Sequence, residues 1–209
     1  MAASAEFQII QNLILFVLII GTIAFFLACK RNRRFYSWLI VYFGATFAQM
    51  VTNLGFYIES IGGIGNMFQS FVYILIIFNV VREYYRIYYK SKRFSKKTIP
   101  ILQVAAFSPQ ILGLLMVFGV LLFICIFLSL RIYLKEKKAT QAFFLLTVIA
   151  AFLTILSIEL WGQGVLPTAE VGVGVHLIFA VIMMVTAFVA FLEQKIQRSQ
   201  ASPINFLVK

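Results

Sequence analysis

Hydrophobic positions in this chain come in long blocks broken by short polar stretches: Phe7–Cys29, Phe35–Ile58, Met67–Tyr89, Gln110–Leu130, Ala139–Trp161 and Val171–Leu192. Each block reaches the roughly 20 residues that a helix rising 1.5 Å per residue needs to cross a hydrocarbon core about 30 Å thick. A helix satisfies its own backbone in lipid, whereas an open sheet does not, and no ten-residue alternating pattern supports a barrel. The pattern predicts an all-α, polytopic helical membrane bundle with six full spans.

Composition points the same way. Of 209 residues, 62% are apolar and 12% charged, with a mean hydropathy of +0.97. Soluble domains run at about 45–50% apolar and about 25% charged, so a water-soluble enzyme, a disordered tail and a nucleic-acid reader are excluded. Met1-Ala-Ala-Ser-Ala-Glu6 lacks the positive leader of a secretory signal and runs straight into the first block, which is expected to be a retained span.

Charge orients the spans. The cations fall into four groups: Lys30–Arg34, Arg82–Lys97, Arg131–Lys138 and Lys195–Lys209. If all four share one side, that side carries +15 and the other −4, together the +11 of the whole chain. The positive-inside rule makes the basic side cytoplasmic and puts the N-terminus outside and the C-terminus inside. The opposite connections, Glu59–Asn66 and Gly162–Glu170, are cation-free and glycine-rich and are expected to be turns. Tyr84, Tyr85, Tyr88 and Tyr89 at one boundary and Tyr57 and Trp161 at the other form interfacial belts.

The middle of the chain needs an extra element. Only 33 residues separate Lys97 from Arg131, and two helical crossings would need about 60 Å where 33 residues supply about 50 Å. One crossing would strand the third basic group outside. Pro100 and Pro109 break helix, so Thr98–Phe107 is expected to be a short irregular, re-entrant or seventh segment returning the chain to the outer side. A surface-lying segment followed by a single crossing is the rival. With the return accepted, 7–90 and 110–198 read as two parallel three-helix repeats, joined by a basic linker and inversion element at 91–109 and followed by a polar tail at 199–209, all within one transmembrane domain. This layout is similar to that of three-one-three sugar transporters and some seven-helix retrieval receptors, and Pro109-Gln110 resembles the proline-glutamine loop of one such group. That dipeptide stands in one half only, and no family is assigned from it.

Candidate chemistry is sparse. Thr46, Gln49 and Asn53 share one face of the second span, with Tyr42 one turn before. They either line a solute or ligand path or bond to a neighbouring helix, and Gly44 and Ala48 as a small-xxx-small pair argue for close packing there. Glu159 and His176 are expected in the outer half, where they form either a proton-coupled pair or separate snorkelling and hydrogen-bonded groups. Lys90, Lys92, Arg93, Lys96 and Lys97, just inside a span, suit anionic lipid headgroups at about 1 kcal/mol per cation.

Cys29 and Cys125 sit in apolar runs with no metal or disulfide spacing. There is no Asp, no HExxH, no Ser/His/Asp set and no P-loop, so neither catalysis nor a cofactor or metal is expected. The leading expectation is a non-catalytic accessory, structural or sensory subunit of a larger membrane assembly, with protein partners or a second copy of itself. The alternatives are a small-solute transporter with a path between the repeats and a receptor with an outer ligand site.

Overall fold

A computed structural model describes residues 5–55, 57–58, 61–89, 111–162 and 169–201. Among them are six α-helices: α1 (Ala5–Arg31), α2 (Tyr36–Gly55), α3 (Gly62–Tyr89), α4 (Ile111–Glu136), α5 (Ala139–Gly162) and α6 (Ala169–Ala201), with a 3₁₀ turn at Arg33–Phe35 between α1 and α2. Stretches of α1, α3, α4, α5 and α6 are long and apolar enough to cross a membrane. Helix α2, the shortest of the six at 20 residues, is not among them. Its polar residues Thr46, Gln49 and Asn53 turn towards α1 instead of lipid, and the Thr52 hydroxyl bonds back to the Ala48 carbonyl of the same helix.

The helices close into a ring in chain order, α1 packing on α6 as well as on α2. Connections as short as Asn32–Phe35 and Lys137–Lys138 make α1/α2 and α4/α5 antiparallel neighbours. Helices α3 and α4 instead run parallel. The Tyr88 hydroxyl donates to the Arg131 carbonyl at 2.9 Å, and Lys135 Nζ donates to the Ile87 carbonyl at 2.9 Å, so both helices finish at one level. The cations of the described residues consequently gather at one end of the bundle.

Inside the ring, rings and small residues alternate. Phe25 of α1 stacks on Tyr42 of α2 with centroids 4.3 Å apart, and Trp38 of α2 stacks on Phe144 of α5 at the same separation. Phe35 fills the space between them. Around this layer α6 presents Ala180, Met183, Ala187 and Ala190, all fully buried. Lipid is as apolar as these side chains, so close packing and interhelical hydrogen bonds supply the association energy. The outward faces carry Phe16, Phe43, Val120, Phe127 and Leu192, each at least two-fifths exposed, as a lipid-facing surface requires.

Several boundaries differ from the sequence expectation. Gly62-Gly-Ile-Gly65 is the first turn of α3, not part of a loop. A Cβ at Gly65 would lie 2.9 Å from the Thr52 Cα and 2.6 Å from its hydroxyl, so glycine there serves a close helix crossing. Gly21 does the same for α1 and α6, where a Cβ would stand 3.1 Å from the Met184 Cα. Helix α4 continues six residues past Leu130 to Glu136, and Lys137 just after it, with a positive φ of 49° and a 2.7 Å bond to the Tyr133 carbonyl, makes a left-handed cap. Helix α6 runs on to Ala201, so the first residues of the supposed tail are helical. The expected return segment, Thr98–Phe107, lies outside the described residues.

Substituting Gly65→Ala should lower stability in detergent by about 1–3 kcal/mol, because backbone atoms of Thr52 must give way. Gly174→Ala, whose Cβ meets nothing within 4 Å, should not, and thermal unfolding of the two variants checks the contrast.

Candidate functional site

Three polar regions lie along the bundle. At the cationic end, Arg34 enters from the 3₁₀ turn ahead of α2 and meets carboxylates from two other helices. Its Nη2 donates to both oxygens of Glu136 on α4, at 2.8 and 2.9 Å, while its Nε donates to Glu83 on α3 at 2.9 Å and its Nη2 reaches the same Glu83 oxygen. Arg86 adds a second cation to Glu83 at 2.7 Å, and the Gln141 amide from α5 donates to Glu136 at 3.1 Å.

The three principal side chains are 14–18% exposed. Burial works against the Arg34 charge, but hydrogen bonds and proximity to Glu136 and Glu83 outweigh it and hold its pKa above the ordinary value. Arg34 is thereby fixed as a cation joining α2, α3 and α4. Next to it, Glu193 of α6 accepts from the Thr140 backbone N–H at 3.0 Å and from the Thr140 hydroxyl, placing a carboxylate at the N-terminus of α5, where the helix dipole favours it.

The second region is the α1–α2 seam. Gln49 Nε2 donates to the Gln11 side-chain oxygen and, at 2.8 Å, to Asn53 Oδ1. Asn53 Nδ2 donates to Asn12 Oδ1 at 3.0 Å and to the Gln11 carbonyl at 3.3 Å. One turn from Gln49 towards the cations, Thr46 shares a 2.8 Å bond with Thr22. The polar stripe of α2 thus meets α1. Tyr42, on the same stripe, donates to the Met183 carbonyl of α6 at 2.7 Å.

The third region contains the histidine. His176 lines a small cavity with Phe179 of α6, Ala45 and Ala48 of α2, and Gln69, Val72 and Tyr73 of α3. Gln49 and Asn53 do not line it, so the structure does not bring them together with His176. The side chain of Glu159 lies outside the described residues, as do Lys90, Lys92, Arg93, Lys96 and Lys97, and their proposed contacts with His176 and with lipid fall there too. A larger cleft of about 340 Å³ between α5 and α6 is lined by aliphatic side chains and Ser157, whose hydroxyl is already bonded to the Thr154 carbonyl. Its chemistry is that of a lipid-facing groove. Among the described residues no cluster of His, Cys, Asp or Glu could hold a metal ion.

Sequence reasoning missed Arg34, Gln69 and Tyr73. Arg34 is one of four cations in a short basic turn and is distinguished only by the two glutamates it reaches. Gln69 and Tyr73 lie four residues apart on α3, a spacing that puts them on one face, but two isolated polar positions among apolar ones give little signal. No family model, no curated protein and no solved structure matches this chain. The class defined by fold and composition is that of multi-pass helical membrane proteins.

Replacing Arg34 by Gln leaves Glu83 and Glu136 facing each other with one buried cation fewer, and should cost about 3 kcal/mol of stability. Adding Glu136→Gln should recover part of that loss. Equal stability of the single and double variants in detergent unfolding would contradict the network.

Proposed function

We propose that the chain is a non-catalytic subunit, accessory or sensory, of a larger membrane assembly, built from two parallel three-helix units, α1–α3 and α4–α6, with the N-terminus outside and the cationic end in the cytoplasm. The observation that carries this reading is how the interior polar groups are used. Gln11, Thr22, Gln49, Asn53, Thr147 and Thr186 are buried and spent on bonds between helices, as in a joint, and do not face a common chamber. Parallel α3 and α4 favour the two-unit plan, because the chain between Tyr89 and Ile111 has to return the length of α4, about 39 Å, for the second unit to start where the first did. The same plan makes α2 the sixth crossing in spite of its lower hydropathy.

Lys90, Lys92, Arg93, Lys96 and Lys97 fit this orientation as contacts to anionic headgroups of the cytoplasmic leaflet. They follow directly on the tyrosines that end α3. A second reading, a small-solute transporter or receptor, is favoured by one observation, the cavity at His176. In that reading Thr46, Gln49 and Asn53 would join His176 only in another conformation, since α2 turns its stripe to α1, and Glu159 would contribute from α5.

The orientation is tested with an impermeant thiol reagent on intact cells. Both native cysteines are buried, so Cys29→Ala and Cys125→Ala give a silent background. Ser60→Cys should be labelled from outside and Lys137→Cys only after permeabilisation, and external labelling of Lys137→Cys would overturn the proposal. Mild-detergent purification should retain a protein partner or a second copy, and a bare monomer would contradict the subunit reading.

A further inference from the structure

The cavity at His176 combines two properties that rarely coexist without an occupant. Its free volume is about 10 Å³, room for one water-sized molecule. It is also polar on one side: Gln69, Tyr73 and His176 line it, and Tyr73 is only 3% exposed. Neither the Tyr73 hydroxyl nor the His176 imidazole is sealed away without a partner as Gln49 Oε1 and Asn79 Oδ1 are; both residues border the free space of the cavity. Cavities that stay empty are apolar, whereas a buried hydroxyl without a partner costs about 1–3 kcal/mol.

We propose that this cavity is a binding site for a single water molecule bridging α3 to α6. The donor and acceptor inventory suits it. A water supplies two donors and two acceptors, and the Tyr73 hydroxyl, the Gln69 amide and a neutral imidazole each offer at least one complementary group. A metal or organic cation suits it less, because the lining residues include no carboxylate to compensate the charge. The site exists because α2 presents only methyl groups there, Ala45 and Ala48 standing one turn apart opposite Tyr73, His176 and Phe179. The bound water completes a hydrogen-bonded connection between two helices that belong to different three-helix units. The site stands whether the chain is an assembly subunit or a solute path.

Filling the cavity tests the proposal. Ala48→Val expels the water and leaves Tyr73 unpaired, so it should lower the Tm of the full chain in detergent by about 2–4 °C. In a Tyr73→Phe background, where no hydroxyl needs the water, the same substitution should be neutral or stabilising. A rise in Tm for Ala48→Val alone, as filling a dry void gives, would overturn the proposal, and so would an equal loss in both backgrounds, which marks simple crowding. A second cycle needs no added bulk: Tyr73→Phe and His176→Leu should lower Tm less together than the sum of their separate effects, and strictly additive losses count against a shared water.

Discussion

One guanidinium sets the geometry of the cationic end. Arg34 binds Glu83 of α3 and both oxygens of Glu136 of α4 from its place ahead of α2, and these bonds can form together only if α3 and α4 finish at the same level. Taking three ionised groups largely out of water is costly, and the arrangement is favourable because each carboxylate has further donors in Arg86 and Gln141. Parallel neighbours are the consequence, and with them a ring in which α1, α3, α4 and α6 run one way and α2 and α5 the other.

Away from that end the bundle is held by weaker terms that act together. Interhelical hydrogen bonds in membranes average about 0.6 kcal/mol each, so no single bond of the Gln11–Gln49–Asn53 group decides the fold. The stacked rings of Phe25 on Tyr42 and Trp38 on Phe144 fill the centre at the level where α6 contributes alanines, and glycines at 21 and 65 let backbones approach where side chains would not fit. The result is an interior filled by these rings and small residues, with a small cavity of about 10 Å³ beside His176.

Much of this is legible in the sequence, for a physical reason: in a bilayer, span length and hydropathy are fixed by the solvent. The helices of the described residues coincide with the hydrophobic blocks, overrunning them most at the end of α6, which continues nine residues past Leu192, and the common face of Thr46, Gln49 and Asn53 follows from their spacing. Their partner does not, because Gln11 and Asn12 on α1 are unremarkable until the two helices are side by side. Gly62–Gly65 reads as a turn since glycine usually breaks helices, yet here it marks a crossing whose closeness depends on Thr52 of another helix. Arg34 was legible as charge and illegible as a joint. The nearest hint was that Glu83 and Glu136 are acids embedded in basic stretches at the ends of apolar spans.

The parallel course of α3 and α4 carries the rest, and a spin-label distance measures it directly. Tyr89→Cys and Leu134→Cys place labels on exposed positions near the ends of the two helices. Parallel neighbours with axes about 10 Å apart should hold the labels within about 20 Å of each other. A dominant separation near 39 Å, the length of α4 at 1.5 Å per residue, would mean antiparallel helices and would contradict the account.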